Sequence, residues 1–248
     1  MKVNILGAQT DNLVLDDVLK KIGEFLRDGR QHYIVTPNPE MIMAAGKDRT
    51  FLEILNKADL AVPDGVGLIF ASRYLRRPIP ERIPGVDLML DICRMAEQKN
   101  CSVYLLAAEE GLAKPKETAE ALVQRFPKLK IAGDALSREE SGEKIINGIN
   151  TAKPEILFVA LGAGRQEKFI ADNLNKMPSV KIAMGVGGAF DFISEKIKRA
   201  PKWLRKIGLE WLWRLFMQPW RWKRILTATL KFSWLIIRKG KKRREASS

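Results

Sequence analysis

The 248-residue chain is long enough to bury a substantial core, and with 46% hydrophobic residues it is excluded from the disordered class. Cys93 and Cys101 match no metal-ligand or redox spacing, and so few thiols fit a reducing compartment. The formal net charge of +14 is concentrated: residues 196–248 hold 17 Lys or Arg against Glu210 and Glu245, whereas residues 1–195 hold 26 basic and 27 acidic residues.

All six tryptophans fall in the same basic stretch, so the chain divides into a near-neutral body, residues 1–195, and an appendage, residues 196–248. The first residues have neither a long apolar run nor a small-residue cleavage site, so no signal peptide and a cytoplasmic location are expected. In chain order, short β-branched or apolar runs predict strands at 3–6, 33–36, 60–62, 103–106, 156–161 and 181–185. Amphipathic stretches predict helices at 13–27, 86–99, 112–126, 139–152 and 166–175. This alternation is that of an α/β fold, a Rossmann-like open and mostly parallel sheet with helices on both faces. Residues 76–85 contain three prolines and read as an extended segment over the surface.

Ligands of open α/β sheets bind beyond the carboxyl ends of the strands. That rule selects the segments around Thr36 and Asn38, Asp64, Gln166 and Gly187. The turn Gly185–Gly188 resembles a dinucleotide fingerprint, but Phe190 takes the place of its third glycine. Phosphate contact through Gly187 and a plain tight turn are equally good readings of it. No P-loop motif occurs. Asp64, in Val-Pro-Asp-Gly, is placed to act as a general base, with Asp87 and Asp191 as rivals; its spacing alone favours a turn residue. Gln166-Glu167 opens a helix, where free N–H groups suit a phosphate or sugar oxygen and where Glu167 also favours the positive helix end. His32, the only histidine, enters a strand and reads as structural.

The appendage predicts two helical blocks separated near Pro219, and Arg214, Arg221 and Arg224 share a face if the helical phase survives that proline. The apolar run 225–237 has 13 residues, about 20 Å of helix, too short for the ~30 Å hydrocarbon core. Tryptophans mixed with Lys and Arg suit an anionic membrane surface, and the aliphatic content argues against a nucleic-acid partner.

These segments together resemble the WecG/TagA/CpsF glycosyltransferase family. The resemblance is carried by 36–38 (TPN), 58–67 (ADLAVPDGVG), 82–87 (RIPGVD), 185–191 (GVGGAFD), 199–203 (RAPKW) and 208–214 (GLEWLWR). It implies an inverting transfer of N-acetylmannosamine from a UDP-sugar donor to the 4-hydroxyl of a lipid-linked acceptor, undecaprenyl-diphosphate-linked N-acetylglucosamine. That reaction builds the linkage unit of wall teichoic acid, at the inner face of the membrane. Another branch of the family uses the uronic acid form of the donor sugar. The resemblance assigns the base to Asp64, pocket roles to Thr36, Asn38, Arg82 and Gln166, and a basic C-terminal role to Arg214, Arg221 and Arg224. Gly164 stands where the family often has proline, and Ser194-Glu195 where a pair containing glycine is usual. With no Asp-x-Asp pair for a divalent cation, no metal or other cofactor is expected, and arginines are the source of positive charge. A homo-oligomer stays open. The alternatives from other classes are a Rossmann-type oxidoreductase, opposed by the broken fingerprint, and a non-enzymatic membrane adaptor, which would not need polar loops converging on one rim.

Overall fold

A computed structural model describes residues 2–136, 142–219 and 222–245, and their side chains apart from 136, 206, 214, 224 and 241–245. The chain opens with a hairpin, β1 (Lys2–Ile5) and β2 (Ala8–Asp11), paired antiparallel. The predicted first strand is therefore no member of the main sheet. Leu6 and Gly7 form a two-residue loop at φ 53° and 101°, and so tight a return forces antiparallel pairing, since parallel strands need a long crossover. Asp11 joins the hairpin to the sheet by accepting a 2.8 Å hydrogen bond from the Ala61 N–H.

The main sheet has six strands: β3 (His32–Val35), β4 (Leu60–Ala61), β5 (Ser102–Ala108), β6 (Lys130–Leu136), β7 (Ile156–Ala160) and β8 (Ile182–Gly185). They lie in the order β4-β3-β8-β7-β5-β6, every neighbouring pair parallel. Alternate residues of one strand feed opposite layers. Ile156 and Phe158 pack with α1 (Leu15–Phe25), α5 (Gly85–Lys99), α6 (Pro115–Arg125) and α9 (Ala189–Ile193). Leu157 and Val159 pack with α7 (Gly142–Ala152) and α8 (Arg165–Asn173). On that second face α2 (Pro39–Ala45) and α3 (Arg49–Lys57) cover Val35 and Ala61. The start predicted for α7, at 139, lies outside the described residues.

Sequence periodicity misses β2, β6, α2, α3, α4 (Val66–Tyr74) and α9. The proline-containing segment 76–85 runs over the surface as expected, but buried Ile79 and Ile83 pin it down.

The C-terminal segment forms α10 (Lys202–Lys206), α11 (Glu210–Met217) and α12 (Trp222–Leu226), a π-helical turn (Thr227–Lys231) and α13 (Phe232–Glu245). Gln218 is not helical, so the helix carrying Arg214 does not continue into the one carrying Arg224, and the shared face expected for the three arginines has no continuous helix to define it. Helix α13 lies on α4 and the hairpin: Phe232 and Ile236 join a cluster with Val3, Ile5 and Leu68. At Gly240 a Cβ would come within 2.4 Å of the Tyr74 ring, so only glycine permits this approach. Among the described residues no helix is long and apolar enough to cross a membrane.

Candidate active site

The site starts from two loops at the carboxyl ends of β3 and β4. Asn38 caps α2 by accepting a 3.0 Å hydrogen bond from the Met41 N–H, and Pro39 supplies the preset first helical turn. Gly65, at φ 118°, turns the chain from Asp64 into α4, a conformation that favours glycine. The Asp64 N–H donates to the Pro37 carbonyl at 2.9 Å and laces the loops together. A third strand of chain arrives through the Ile83 N–H, which donates to the Pro63 carbonyl at 3.0 Å. It places Gly85 so that its N–H donates to Asp64 Oδ2 at 3.1 Å. A Cβ on Gly85 would lie 3.3 Å from Thr36 Oγ1 and 3.5 Å from Asp64 Oδ2, so Thr36, Asp64 and the start of α5 meet at a point that a larger residue would crowd.

Asn38, Asp64 and Arg82 line one cavity of about 370 Å³, together with Arg199, Glu210 and Trp211 of the C-terminal segment. Arg82 Nη2 donates to Glu210 Oε2 at 2.6 Å, and its Nε lies 3.9 Å from Asp64 Oδ1. Arg199 grips Asp87 with two hydrogen bonds, of 2.5 and 2.8 Å, and donates through Nε to the other oxygen of Glu210 at 3.1 Å. Burial opposes the charge on Arg199, but the Asp87 and Glu210 carboxylates outweigh it and hold the guanidinium even more firmly protonated than usual. Two body residues, Arg82 and Asp87, are thus tied through Glu210 and Arg199 to the segment that follows the body. Of the rival carboxylates, Asp87 is committed to Arg199, and Asp191 accepts from the Ala113 N–H at 3.2 Å.

Gln166 and Gly187 meet each other at the ends of β7 and β8, and neither lines this cavity. The Gly187 N–H donates to Gln166 Oε1 at 2.9 Å, and Gln166 Nε2 donates to the buried Glu167 at 2.7 Å. Glu167 also accepts from the Gly164 N–H at 2.6 Å; burial raises its pKa against these hydrogen bonds. A Cβ on Gly185 would sit 2.6 Å from Gln166 Nε2, so this glycine has a packing reason of its own. His32 is buried, bonded to Asp28 at 2.9 Å and stacked on Phe25, the structural role expected. Arg221 and the side chains of Arg214 and Arg224 lie outside the described residues. Reading single residues misses Arg199 and Glu210, although both fall in the motif blocks 199–203 and 208–214. Among the described residues no group of three His, Cys, Asp or Glu side chains is placed to hold a metal ion.

A parallel α/β sheet with a carboxylate and guanidinium groups around a cavity at its strand ends can receive a ligand that carries hydroxyl and anionic groups. Residues 3–246 match the model of the Glycosyl transferase WecG/TagA/CpsF family; the chain belongs to this family and is a glycosyltransferase. It is 33% identical over 211 residues, 85% of the chain and 81% of the relative, to the N-acetylglucosaminyldiphosphoundecaprenol N-acetyl-beta-D-mannosaminyltransferase of Bacillus subtilis (strain 168). With the protein of the same name from Staphylococcus aureus (strain MRSA252) it shares 34% identity over 226 residues, 90% of the chain and 87% of the relative.

Proposed function

We propose that the protein transfers N-acetylmannosamine from UDP-N-acetylmannosamine to the 4-hydroxyl of N-acetylglucosaminyl-diphosphoundecaprenol, with inversion and without a metal ion. The observation that carries this reading is that Asp64 shares one cavity with the guanidinium groups of Arg82 and Arg199. Asp64 takes the proton of the acceptor hydroxyl as the oxygen attacks the anomeric carbon from the face opposite the leaving group. The bond from that carbon to the UDP oxygen breaks, and the arginines meet the charge developing on the diphosphate. Thr36, beside Asp64, and Asn38 hold donor and acceptor groups, Gln166 fixes the turn at Gly187, and Arg214, Arg221 and Arg224 add positive charge from the C-terminal segment.

The same segment holds the enzyme on the inner membrane surface. Trp203, Phe216, Trp222, Leu230 and Trp234 are exposed among Lys and Arg side chains. Aromatic rings favour the headgroup region, and each basic residue near anionic lipid adds about 1 kcal/mol.

The test is a transfer assay on the full chain in excess chelator, with UDP-N-acetylmannosamine and its uronic acid form as rival donors. The expected outcome is transfer from the first donor, undiminished by chelation and reduced roughly 10²–10⁴-fold in Asp64→Asn. Preference for the uronic acid form would reassign the donor. Rescue of a chelated enzyme by magnesium would refute metal-free chemistry, and near-normal turnover of Asp64→Asn would move the base elsewhere.

A further inference from the structure

The cavity that holds Asp64 and the arginines is also lined by Glu40 and by the Thr229 and Ser233 hydroxyls, but the rest of its described lining away from Asp64 is mostly apolar. Helix α4 contributes Val66 and Phe70, one turn apart, and the helical run opposite contributes Ile225, Ala228 and Phe232, spaced three and four residues apart on one face. The wall of α4 can come close because Gly67 lacks a side chain: a Cβ there would lie 2.8 Å from Pro39 Cγ. Phe70 is 64% exposed and Trp211 37% exposed, yet both line the cavity, so they mark its mouth. On the outer side of the same helical run Trp222, Leu226 and Leu230 are exposed, which carries the apolar surface on from the mouth.

We infer that this apolar half binds the first isoprenoid units of the acceptor's lipid chain. The inference rests on the proposed function, in which the acceptor's sugar hydroxyl reaches Asp64 while the arginines meet the donor's diphosphate. The acceptor's own diphosphate and the hydrocarbon beyond it then extend away from Asp64, and apolar walls continue from there in one cavity. A nucleoside does not suit this half. A base and ribose need several fixed hydrogen-bond partners, and the 225–233 run offers only the Thr229 and Ser233 hydroxyls to the cavity. The chain runs from the Asp64 end past Phe70 and Ala228 to the exposed apolar row, so the lipid leaves the protein at the surface proposed to face the bilayer.

Two measurements on the full chain test this. In the first, a prenyl diphosphate with a diazirine on its second isoprene unit is photolysed with the protein, and the label is mapped by mass spectrometry. Label on residues 66–70 and 225–232, displaced by excess unmodified prenyl diphosphate, is the expected result. Label elsewhere, or equal labelling of these residues by phosphatidylglycerol carrying a diazirine on its acyl chain, would overturn the inference. The second compares kcat/KM for an undecaprenyl acceptor with that for an acceptor carrying only a short alkyl chain. In Phe70→Gln, and in Ala228→Trp, which fills the groove, the long-to-short ratio is expected to fall about tenfold. An unchanged ratio in both variants would overturn the groove. The two readings fail separately: groove labelling on a protein that transfers no sugar strikes the proposed function alone, and transfer with label elsewhere strikes the groove alone.

Discussion

Strand β7 and helix α13 meet their surroundings in opposite ways. Ile156, Leu157, Phe158 and Val159 are all buried, because both faces of the sheet are covered and every side chain of the strand finds a partner layer. Helix α13 buries Phe232 and Ile236, leaves Trp234 and Ile237 exposed, and holds to the body along one narrow seam. The body is therefore stable through its own packing, whereas the C-terminal segment stays in place through a few anchors and the ion pairs at its start. Those ion pairs reach the site: Glu210 holds Arg82, which faces Asp64. The more weakly held region thus touches the site residues of the more strongly held one.

The sharpest break in this comparison is removal of residues 196–248. The main sheet clusters keep their partners, so the remaining domain is expected to fold, with loss of cover over Val3, Ile5 and Leu68. Turnover on a water-soluble acceptor should fall by at least about 10³-fold, because a preorganised set of charged donors goes with the segment. Binding to anionic vesicles should vanish. Full activity on the soluble acceptor would reduce the segment to an anchor.

Phe232→Ala loosens the seam and leaves the sheet intact. Truncating so buried a ring costs about 3 kcal/mol. Amide exchange should accelerate in residues 222–245 and in the hairpin, while β5 and β7 keep their protection. Uniform acceleration across all strands would mean that the two regions unfold as one.

Glu210→Gln keeps the shape of the link and removes its charge. A hydrogen bond to a charged group contributes about 1.5–3 kcal/mol, so catalytic efficiency is expected to drop roughly 10–100-fold. Vesicle binding should persist, since the many basic residues are untouched. If efficiency stays at the wild-type level, Arg82 does not depend on the C-terminal segment for its position.

The smallest effect lies at the junction itself. Glu195 sits at φ 60°, a left-handed conformation that costs a non-glycine residue about 1 kcal/mol. Glu195→Gly should therefore raise the melting temperature by about 2–4 °C, and a calorimetric scan with no rise would show that the strain is relieved locally.

Much of this molecule follows from one-dimensional pattern. Runs such as residues 156–161 announce buried parallel strands, and the Gly-, Pro- and Asp-bearing turns after them mark the rim where Asn38, Asp64 and Gln166 stand. The division of charge at residue 195 is likewise plain in the sequence, because +15 with every tryptophan in one short stretch is a property of composition. Elements without a period of their own needed the fold. Strand β6 carries Gly133 and Asp134 and becomes a strand by pairing with β5 over its whole length, where a Cβ on Gly133 would come within 2.5 Å of the Leu105 carbonyl oxygen. Helix α2 spans seven residues, too few for a periodic signal, and the caps of α2 and α3, Asn38 and Asp48, emerge only in the structure, where they accept from the Met41 and Phe51 N–H groups. The hairpin turned on the backbone of two residues, Leu6 and Gly7. Only the tertiary structure joined Arg199 to Asp87 and Arg82 to Glu210, pairs 112 and 128 residues apart, because a charge in a sequence shows its sign but not its partner. It also brought apolar residues of α4 and of the 225–232 run into one cavity with the charged groups, a neighbourhood that no single stretch of sequence shows.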